Sequence, residues 1–288
     1  MRVARTADRV PRSGYRRGGR RARIAAYCTV VALTLVVLFP FLWMFHLSFK
    51  QNQDIFAFPP KVFFEPTLTH YTTLFDKVFT RSFVNSLVTS VASTLVAMLV
   101  GTPAAFALSR ANYRADRQIS LWVLATRMAP PIAFTLPYFL IFRVLGLLDT
   151  RIGLITIYVT FSLSLVLWMM RSFFDATPRS LEEAAWIDGC GVWEAFWRIT
   201  LPLSAPGLAA TAIFCFLFSW NDFFFALILT RSQAQTAPVA VVNFMNYENW
   251  EWGKIAAGGT CVMLPVLFFA FVVRKYLVAG LSAGAVKG

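Results

Sequence analysis

The chain has 288 residues, of which 58% are hydrophobic and only 14% are charged, and its mean hydropathy is +0.61. Soluble globular proteins carry about 25% charged residues, so this composition excludes an ordinary soluble domain and predicts a polytopic membrane protein. The formal net charge is +13, and 9 of the 27 basic residues lie in an arginine-rich tail at positions 1–23. A basic tail of this kind orients a membrane protein and contacts anionic lipid. No motif or aromatic platform indicates nucleic-acid binding.

Six apolar runs are long enough to cross a membrane, for which about 20 apolar residues are needed. In chain order they cover residues 24–48, 84–109, 118–143, 152–173, 205–230 and 255–275. The first run, from Ile24 to Phe49, has no Asp, Glu, Lys or Arg. Its 26 residues exceed the length of a signal-peptide core, so we expect an uncleaved helix. Backbone polar groups in lipid must be satisfied internally, and no alternating strand pattern is present. The predicted fold class is therefore all-α.

Lysine and arginine residues predict how the six spans are oriented. A cytoplasmic N-terminus places 18 basic residues inside and 8 outside, with one in a span, which favours an N-in, C-in arrangement. Residues 24–288 are then a six-helix transmembrane domain in which residues 174–204 form a cytoplasmic loop. Residues 49–83 and 231–254 lie outside. Their aromatic residues fit either an ordinary interfacial belt or a docking surface for an external partner.

The cysteines and histidines show no metal or disulfide pattern. None of the four cysteines makes a C-x-x-C pair, and three lie inside apolar runs, so they are interpreted as small apolar residues. His46 and His70 are isolated, and no metal site is predicted.

The first half of the cytoplasmic loop has the signals of a short helix. Ser180 is expected to cap this helix, and Glu183 three residues on completes a capping box. Gly189 fits the position just past the helix end, where a positive φ is needed.

The second half of the loop predicts another short helix. Trp193, Phe196 and Trp197 are spaced i, i+3 and i+4 and are expected to form one apolar face. The residues alone thus predict a rigid helix–turn–helix that exposes Glu182, Glu183 and small alanines. Such a loop fits either a protein contact or a self-packed structure.

The same loop contains the spacing E-A-A-x3-G-x9-I-x-L-P. All seven fixed positions are met, by Glu183, Ala184, Ala185, Gly189, Ile199, Leu201 and Pro202. This pattern resembles the signature, or EAA motif, of inner-membrane permease subunits of bacterial ABC importers. Further similarity to the carbohydrate-importer branch, typified by the second permease of maltose-type transporters, lies in Asn85-Ser86-Leu87, Pro130-Pro131, Trp220-Asn221 and the tail 280–288. The resemblance covers about residues 25–288.

The resemblance implies a type I ABC importer permease fold in the cytoplasmic membrane and a sugar as the transported solute. The helix from Glu183 to Gly189 is then the coupling helix, which docks on a separate ATPase subunit. The set implied for coupling is Glu182, Glu183, Ala184, Ala185, Asp188, Gly189, Ile199, Leu201 and Pro202. The implied partners are a second homologous permease, two cytoplasmic ATPase subunits and an extracytoplasmic sugar-binding protein. The chain has no G-x4-G-K-[ST], so we expect it to be no enzyme and to bind no cofactor, with ATP held by the partner subunit.

Polar residues inside the predicted spans are candidates for the translocation path, because charges at such depth face a bundle interior or a cavity. The candidates are Asn85, Arg127, Thr135, Asn221 and Asp222. A structural alternative is that Arg127 pairs with Asp222, or that waters satisfy Asp222, to hold helices together.

Two other functions compete with a sugar permease. One is an ABC importer permease for a different solute, such as glycerol-phosphate esters or polyamines. The other is an integral-membrane enzyme, which the aromatic outer loops and a few acidic residues would serve. It is disfavoured because no paired-carboxylate or metal constellation is visible. Which sugar is carried does not follow from the sequence.

Overall fold

The computed structural model of the chain describes residues 20–110, 116–128, 130–245 and 250–284. The predicted all-α fold class is confirmed: helices dominate these ranges, which hold one isolated β-bridge, between Met245 and Trp250. The first seven helices are α1 (Arg20–Leu47), α2 (Asn52–Ile55), α3 (Thr69–Leu74), α4 (Lys77–Arg110), α5 (Asp116–Met128), α6 (Pro131–Val144) and α7 (Arg151–Ala176).

The second half of the chain has shorter helices and one long final helix. They are α8 (Ser180–Ile187), α9 (Val192–Ala195), a π-helical turn (Phe196–Thr200), α10 (Leu201–Leu203), α11 (Ala205–Trp220), α12 (Phe224–Leu229), α13 (Ala237–Val242) and α14 (Trp252–Gly284). By their internal contacts the residues fall into two units, Met1–Met44 and Phe45–Gly288. The apolar side chains of α1 in the first unit are exposed, as expected of a helix that faces lipid. The predicted domain boundary at residue 23 stays a prediction.

Within the described ranges, four helices are long and apolar enough to cross a membrane. These cover Ala22–Leu47, Lys77–Arg110, Arg151–Ala176 and Trp252–Val273. A fifth candidate is the pair Val192–Leu203 and Ala205–Trp220, which is bent by 77°. The count of six spans and the N-in orientation stay predictions.

Two of the six predicted spans are interrupted. The third, predicted at 118–143, is divided into α5 and α6, and Pro130 between them has the extended angles φ −65° and ψ 130°. Proline lacks an amide proton and disfavours a helical residue before it, which explains the break at the Pro130-Pro131 pair. The fifth, predicted at 205–230, is interrupted between Trp220 and Phe224.

The centre of the bundle is the packing of α4 against α7, with α11 beside both. Gly101 of α4 allows this close approach, because a Cβ there would lie 2.7 Å from Cγ1 of Val166 on α7. A buried cluster at the end of the bundle next to the 174–204 loop includes Phe106, Phe174 and Phe196. The loop after α7 packs against the bundle through this cluster.

Candidate functional site

Helix α8 begins one residue earlier than the sequence indicated. Ser180 lies inside the helix, and Arg179 before it has helical angles and no capping side chain. The amide of Leu181 donates to the carbonyl of Pro178, and the amide of Glu183 donates to the carbonyl of Arg179. Because backbone carbonyls take the first amides, the predicted capping box of Ser180 and Glu183 is wrong.

The end of α8 is formed as predicted by Gly189. Its φ is +91°, a conformation that residues with a Cβ resist. The amide of Gly189 donates to the carbonyl of Trp186 at 3.1 Å, and the amide of Cys190 donates to the carbonyl of Ala185 at 2.9 Å. These two hydrogen bonds form a Schellman motif, the common glycine-dependent C-cap of an α-helix. The motif turns the chain toward α9.

Glu182 is buried rather than exposed, which corrects the expectation that it lies on the outer face of the loop. Its side chain is 1% exposed and binds Arg110, the last residue of α4. Nε of Arg110 lies 3.0 and 2.8 Å from the two carboxylate oxygens, and Nη2 lies 2.7 Å from Oε1. The hydroxyl of Thr200 also donates to Oε1 at 2.7 Å. We call Arg110, Glu182 and Thr200 the loop clamp.

The loop clamp joins three segments of the chain. Arg110 contributes from α4, Glu182 from α8 and Thr200 from the π-helical turn. A two-pronged guanidinium–carboxylate contact has fixed geometry as well as strength, so it holds these segments in one orientation. Removing either charge would leave the other buried without its partner, a costly state.

A second polar group surrounds the clamp and adds the end of α7. Ser109 donates to the carboxylate of Asp175, while Nη1 of Arg110 donates to the Ser109 hydroxyl at 2.9 Å. Nη2 of Arg179 donates to the carbonyl of Ser109 at 2.8 Å. Sequence reasoning missed Ser109, Arg110 and Thr200, since no local spacing connects position 110 with position 182.

The three aromatic residues predicted to share one face of the second half of the loop do contact one another, but only one of them is buried. Phe196 is fully buried, with its ring 4.6 Å from that of Phe106, but Trp193 and Trp197 are 57% and 56% exposed. The rings of Trp193 and Trp197 lie 5.8 and 5.1 Å from that of Phe196, so the two tryptophans add exposed aromatic surface beside the buried ring.

The exposed side of the loop presents large apolar groups. Trp186, Ile187, Val192 and Trp193 are all exposed, Ile187 at 87%, and we call these four residues the docking face. Of the predicted coupling residues, Glu183, Ala184, Asp188, Gly189 and Pro202 are exposed, Ile199 and Leu201 are partly buried, and Glu182 and Ala185 are buried. Because the loop clamp holds this loop in place, its exposed apolar side chains form a rigid surface suited to protein contact.

Comparison with known proteins identifies the family to which the chain belongs. The family described as binding-protein-dependent transport system inner membrane component matches residues 97–283, which include the whole loop. The chain belongs to this family. It is therefore a multi-pass permease of the cytoplasmic membrane, and the resemblance seen in the sequence is confirmed.

Individual relatives agree. The permease is 39% identical over 277 residues to the trehalose transport system permease protein of Mycobacterium tuberculosis, covering 93% of this chain and 99% of that protein. It is 33% identical over 271 residues to the trehalose/maltose transport system permease protein of Thermococcus litoralis, covering 92% and 97%.

Solved structures show the fold. One chain of a bacterial ABC transporter that imports the acidic polysaccharide alginate matches with a TM-score of 0.75 and 27% identity, covering 91% of this chain and 98% of that one. A chain of an alginate transporter in complex with an alginate pentasaccharide-bound periplasmic protein matches with a TM-score of 0.67 at 16% identity, covering 88% and 93%. The predicted type I importer permease fold is thus confirmed.

Two of the predicted path residues of the permease share one groove. Asn221 and Asp222 lie at the break between α11 and α12, in a cavity of about 660 Å³. The rest of the wall is apolar and consists of Leu165, Phe214, Leu217, Phe218, Phe223 and Phe224. We call it the aromatic groove.

Asp222 also has a structural role within the groove. Its Oδ2 accepts hydrogen bonds from the hydroxyl of Tyr158 at 3.0 Å and from the amide of Ala226 at 3.1 Å. The carboxylate therefore caps α12 and connects it to α7. The alternative pairing with Arg127 lies outside the described residues, because the side chain of Arg127 is not among them.

The other path candidates lie away from the aromatic groove. Asn85 is fully buried; its amide group donates to the carbonyls of Gln233 and Gln235 at 2.8 and 2.9 Å, and its Oδ1 accepts from Nε of Arg151 at 2.7 Å. Thr135 is partly buried on α6. The path role of these residues stays a prediction.

Asp149 forms a polar site at the opposite end of the bundle that sequence reasoning missed. Its carboxylate accepts hydrogen bonds from the backbone amides of residues 231–234 at 3.0 to 3.2 Å. Partial burial acts to raise the pKa of Asp149, but these amides together outweigh it, so the pKa lies below its ordinary value. Asp149 thus holds the α6–α7 connection against the segment after α12.

Proposed function

We propose that this permease forms one half of the pore of an ATP-driven sugar importer and is driven through its cytoplasmic loop by a separate ATPase subunit. The observation that carries the proposal is the geometry of that loop in a chain of this family. The docking face is exposed and apolar, and the loop clamp connects the helix that bears it to α4.

Sugar is the solute class supported by two kinds of observation. The similar permeases named above serve trehalose and trehalose/maltose transport, and both are matched over nearly their full length. The aromatic groove also has suitable chemistry, since Phe214, Phe218 and Phe223 expose apolar ring surface beside the polar side chains of Asn221 and Asp222. Mixed apolar and polar walls of this kind bind small polar solutes in defined orientations.

The proposed partners are a second homologous permease, two cytoplasmic ATPase subunits that bind ATP, and an extracytoplasmic sugar-binding protein. The aromatic groove is open along one side in the single chain, which fits a path completed by a second permease. The alginate transporter solved with its periplasmic protein has the same fold and offers an example of such an assembly.

The loop clamp suggests how movement of the ATPase reaches the membrane. A partner that closes on the docking face displaces α8, and the buried contact of Glu182 with Arg110 makes α4 follow. Because α4 packs along α7 and α11, the displacement reaches the helix break beside Asp222. A loop held by weaker contacts would absorb the motion instead.

The proposal is tested by reconstituting the permease with its second permease, ATPase and binding protein in proteoliposomes. We expect a sugar bound to the binding protein to stimulate ATP hydrolysis and to accumulate inside, and the isolated permease to hydrolyse no ATP. A panel of sugars, glycerol-phosphate esters and polyamines identifies the solute. If only a polyamine or a phosphate ester stimulates ATP hydrolysis, the sugar assignment is wrong. If the isolated permease hydrolyses ATP, the assignment of ATP hydrolysis to a separate subunit is wrong.

A further inference from the structure

A second cavity lies near the start of α4, at the opposite end of that helix from the cytoplasmic loop. It is lined by residues from α3, from the segment after α1 and from the start of α14, and its volume is about 380 Å³. Helix α4 begins three residues after α3 and has 34 residues, which at 1.5 Å per residue span roughly 50 Å. A cytoplasmic loop at Arg110 therefore places this cavity, here called the outer pocket, on the extracytoplasmic side.

The floor of the outer pocket is a histidine in a fixed position. His70 is 7% exposed, and its Nε2 donates to the carbonyl of Lys50 at 2.7 Å. The imidazole lies against Gly253 so closely that a Cβ on that residue would overlap the ring. The hydrogen bond and the packing of Gly253 against the ring fix the orientation of this buried polar side chain in the pocket.

Two tryptophans form an aromatic wall. The rings of Trp250 and Trp252 lie 5.1 Å apart at 36°, and the residues are 44% and 38% exposed. An aromatic face carries partial negative charge and attracts the polarised C–H groups on the apolar face of a sugar ring. Tryptophans left half open beside a cavity are suited to such a ligand.

The polar groups of the pocket favour a neutral, hydroxyl-rich ligand. Glu251 and Lys254 form an ion pair with each other, so they cancel in net charge while still offering an acceptor and donors. Asn52, Thr69 and Thr73 add neutral donors and acceptors. A phosphate ester or a polyamine would meet no excess of opposite charge here, whereas saccharide hydroxyls match both kinds of group.

We propose that the outer pocket is a saccharide-binding subsite that holds one or two sugar units outside the membrane, separately from the aromatic groove. The proposal rests on the proposed function for the side of the membrane on which the pocket opens. A volume near 380 Å³ is in the range of small-ligand sites, about 300–1,000 Å³.

The test is saturation-transfer NMR on the reconstituted complex in nanodiscs without the sugar-binding protein. The probes are glucose, trehalose, maltose and maltotriose, with open-chain sorbitol as a control that lacks a ring face. We expect transfer to at least one ring sugar and none to sorbitol. Trp252→Ala should weaken that binding about tenfold or more. Trp168→Ala should not, although Trp168, on α7 outside the pocket, is the more exposed tryptophan of the two.

A second matched pair separates loss of the site from loss of folding. Thr73→Val removes a hydroxyl that lines the pocket, and Thr72→Val removes its neighbour on α3, which does not line it. Only the first should weaken binding several-fold, with equal complex yield.

Three results would overturn the subsite. The first is that no ring sugar shows saturation transfer, and the second is that transfer is unchanged in Trp252→Ala. The third is that Trp252→Ala lowers only the affinity for the sugar-binding protein, which would make the pocket a protein-docking site. If any of these three results is accompanied by normal uptake of a sugar, the proposed function stands and only the saccharide-binding subsite is excluded.

Discussion

Both ends of α4 are tied to distant segments, but by different chemistry. At the end proposed to be cytoplasmic, Arg110 meets Glu182 through two charged side chains, and the carboxylate is 1% exposed. At the end proposed to be the outer one, the neutral amide of Asn85 donates to backbone carbonyls of Gln233 and Gln235. The inner tie holds a loop that has to move with its helix, and the outer tie fixes a loop in place. The two ties should therefore respond differently to substitution.

The largest effect is expected at the inner tie. Arg110→Ala leaves the Glu182 carboxylate buried with Thr200 alone, and removing one partner of a buried ion pair costs about 3–5 kcal/mol. Asn85→Ala, the matched change at the outer tie, leaves two backbone carbonyls without their donor and leaves Arg151, which is exposed to solvent, without its acceptor, so it should cost about 1–3 kcal/mol. Complex yield and thermal unfolding in detergent measure both.

The double variant Arg110→Met with Glu182→Leu sharpens this comparison. Removing both charges avoids the buried unpaired group, so stability should return toward that of the unmodified permease. Uptake should stay low, because the fixed two-pronged contact is gone. Full uptake in the stable double variant would show that the ion pair plays no part in transmission.

The next effect concerns two glycines of the loop that differ in backbone conformation. Gly189 has φ +91° and Gly191 has φ −75°, and a Cβ on either would meet no atom within 4 Å. Gly189→Val should therefore cost about 1–2 kcal/mol through its backbone alone, tilt the docking face and abolish uptake, while Gly191→Val should be tolerated. Uptake and ATPase co-purification are the measurements, and equal behaviour of the two variants would contradict the role assigned to the turn.

A smaller effect is expected at the outer end, where Asp149 holds residues 231–234. Its lowered pKa means that the carboxylate stabilises the fold fully above its ordinary pKa of about 4 and that this contribution is lost as pH falls through the lowered value. Asp149→Gly should remove this dependence at a cost of about 1 kcal/mol. Glycine is the chosen replacement because φ is +55° at this position. The fall in thermal unfolding temperature between about pH 5 and pH 2 should therefore be smaller in the variant than in the unmodified permease, and an equal fall in both would exclude Asp149 as a source of the pH dependence.

The sequence predicted what depends on local spacing. The all-α class, the turn at Gly189 and the exposed position of Glu183 follow from composition and from a motif within 20 residues. The contacts of Arg110 with Glu182, of Asn85 with Gln233 and of Asp149 with Arg231 did not follow, because these pairs are 72, 148 and 82 residues apart. The two interrupted spans differ in this respect. The Pro130-Pro131 pair indicates a local break in helical hydrogen bonding, whereas the break beside Asp222 was missed because hydropathy alone does not register it.

The smallest effect on stability is expected at Glu183, and it isolates the contact with the ATPase. Glu182 and Glu183 are adjacent on α8, yet Glu182 is buried in the loop clamp and Glu183 is exposed without a partner among the described residues. Glu182→Ala should destabilise the permease by several kcal/mol because it leaves Arg110 unpaired. Glu183→Ala should stay within about 0.5 kcal/mol, as surface changes usually do. Reduced affinity for the ATPase with unchanged thermal unfolding in Glu183→Ala would place this carboxylate in the interface. Unchanged affinity and uptake would leave the apolar docking face as the part of α8 that the ATPase binds.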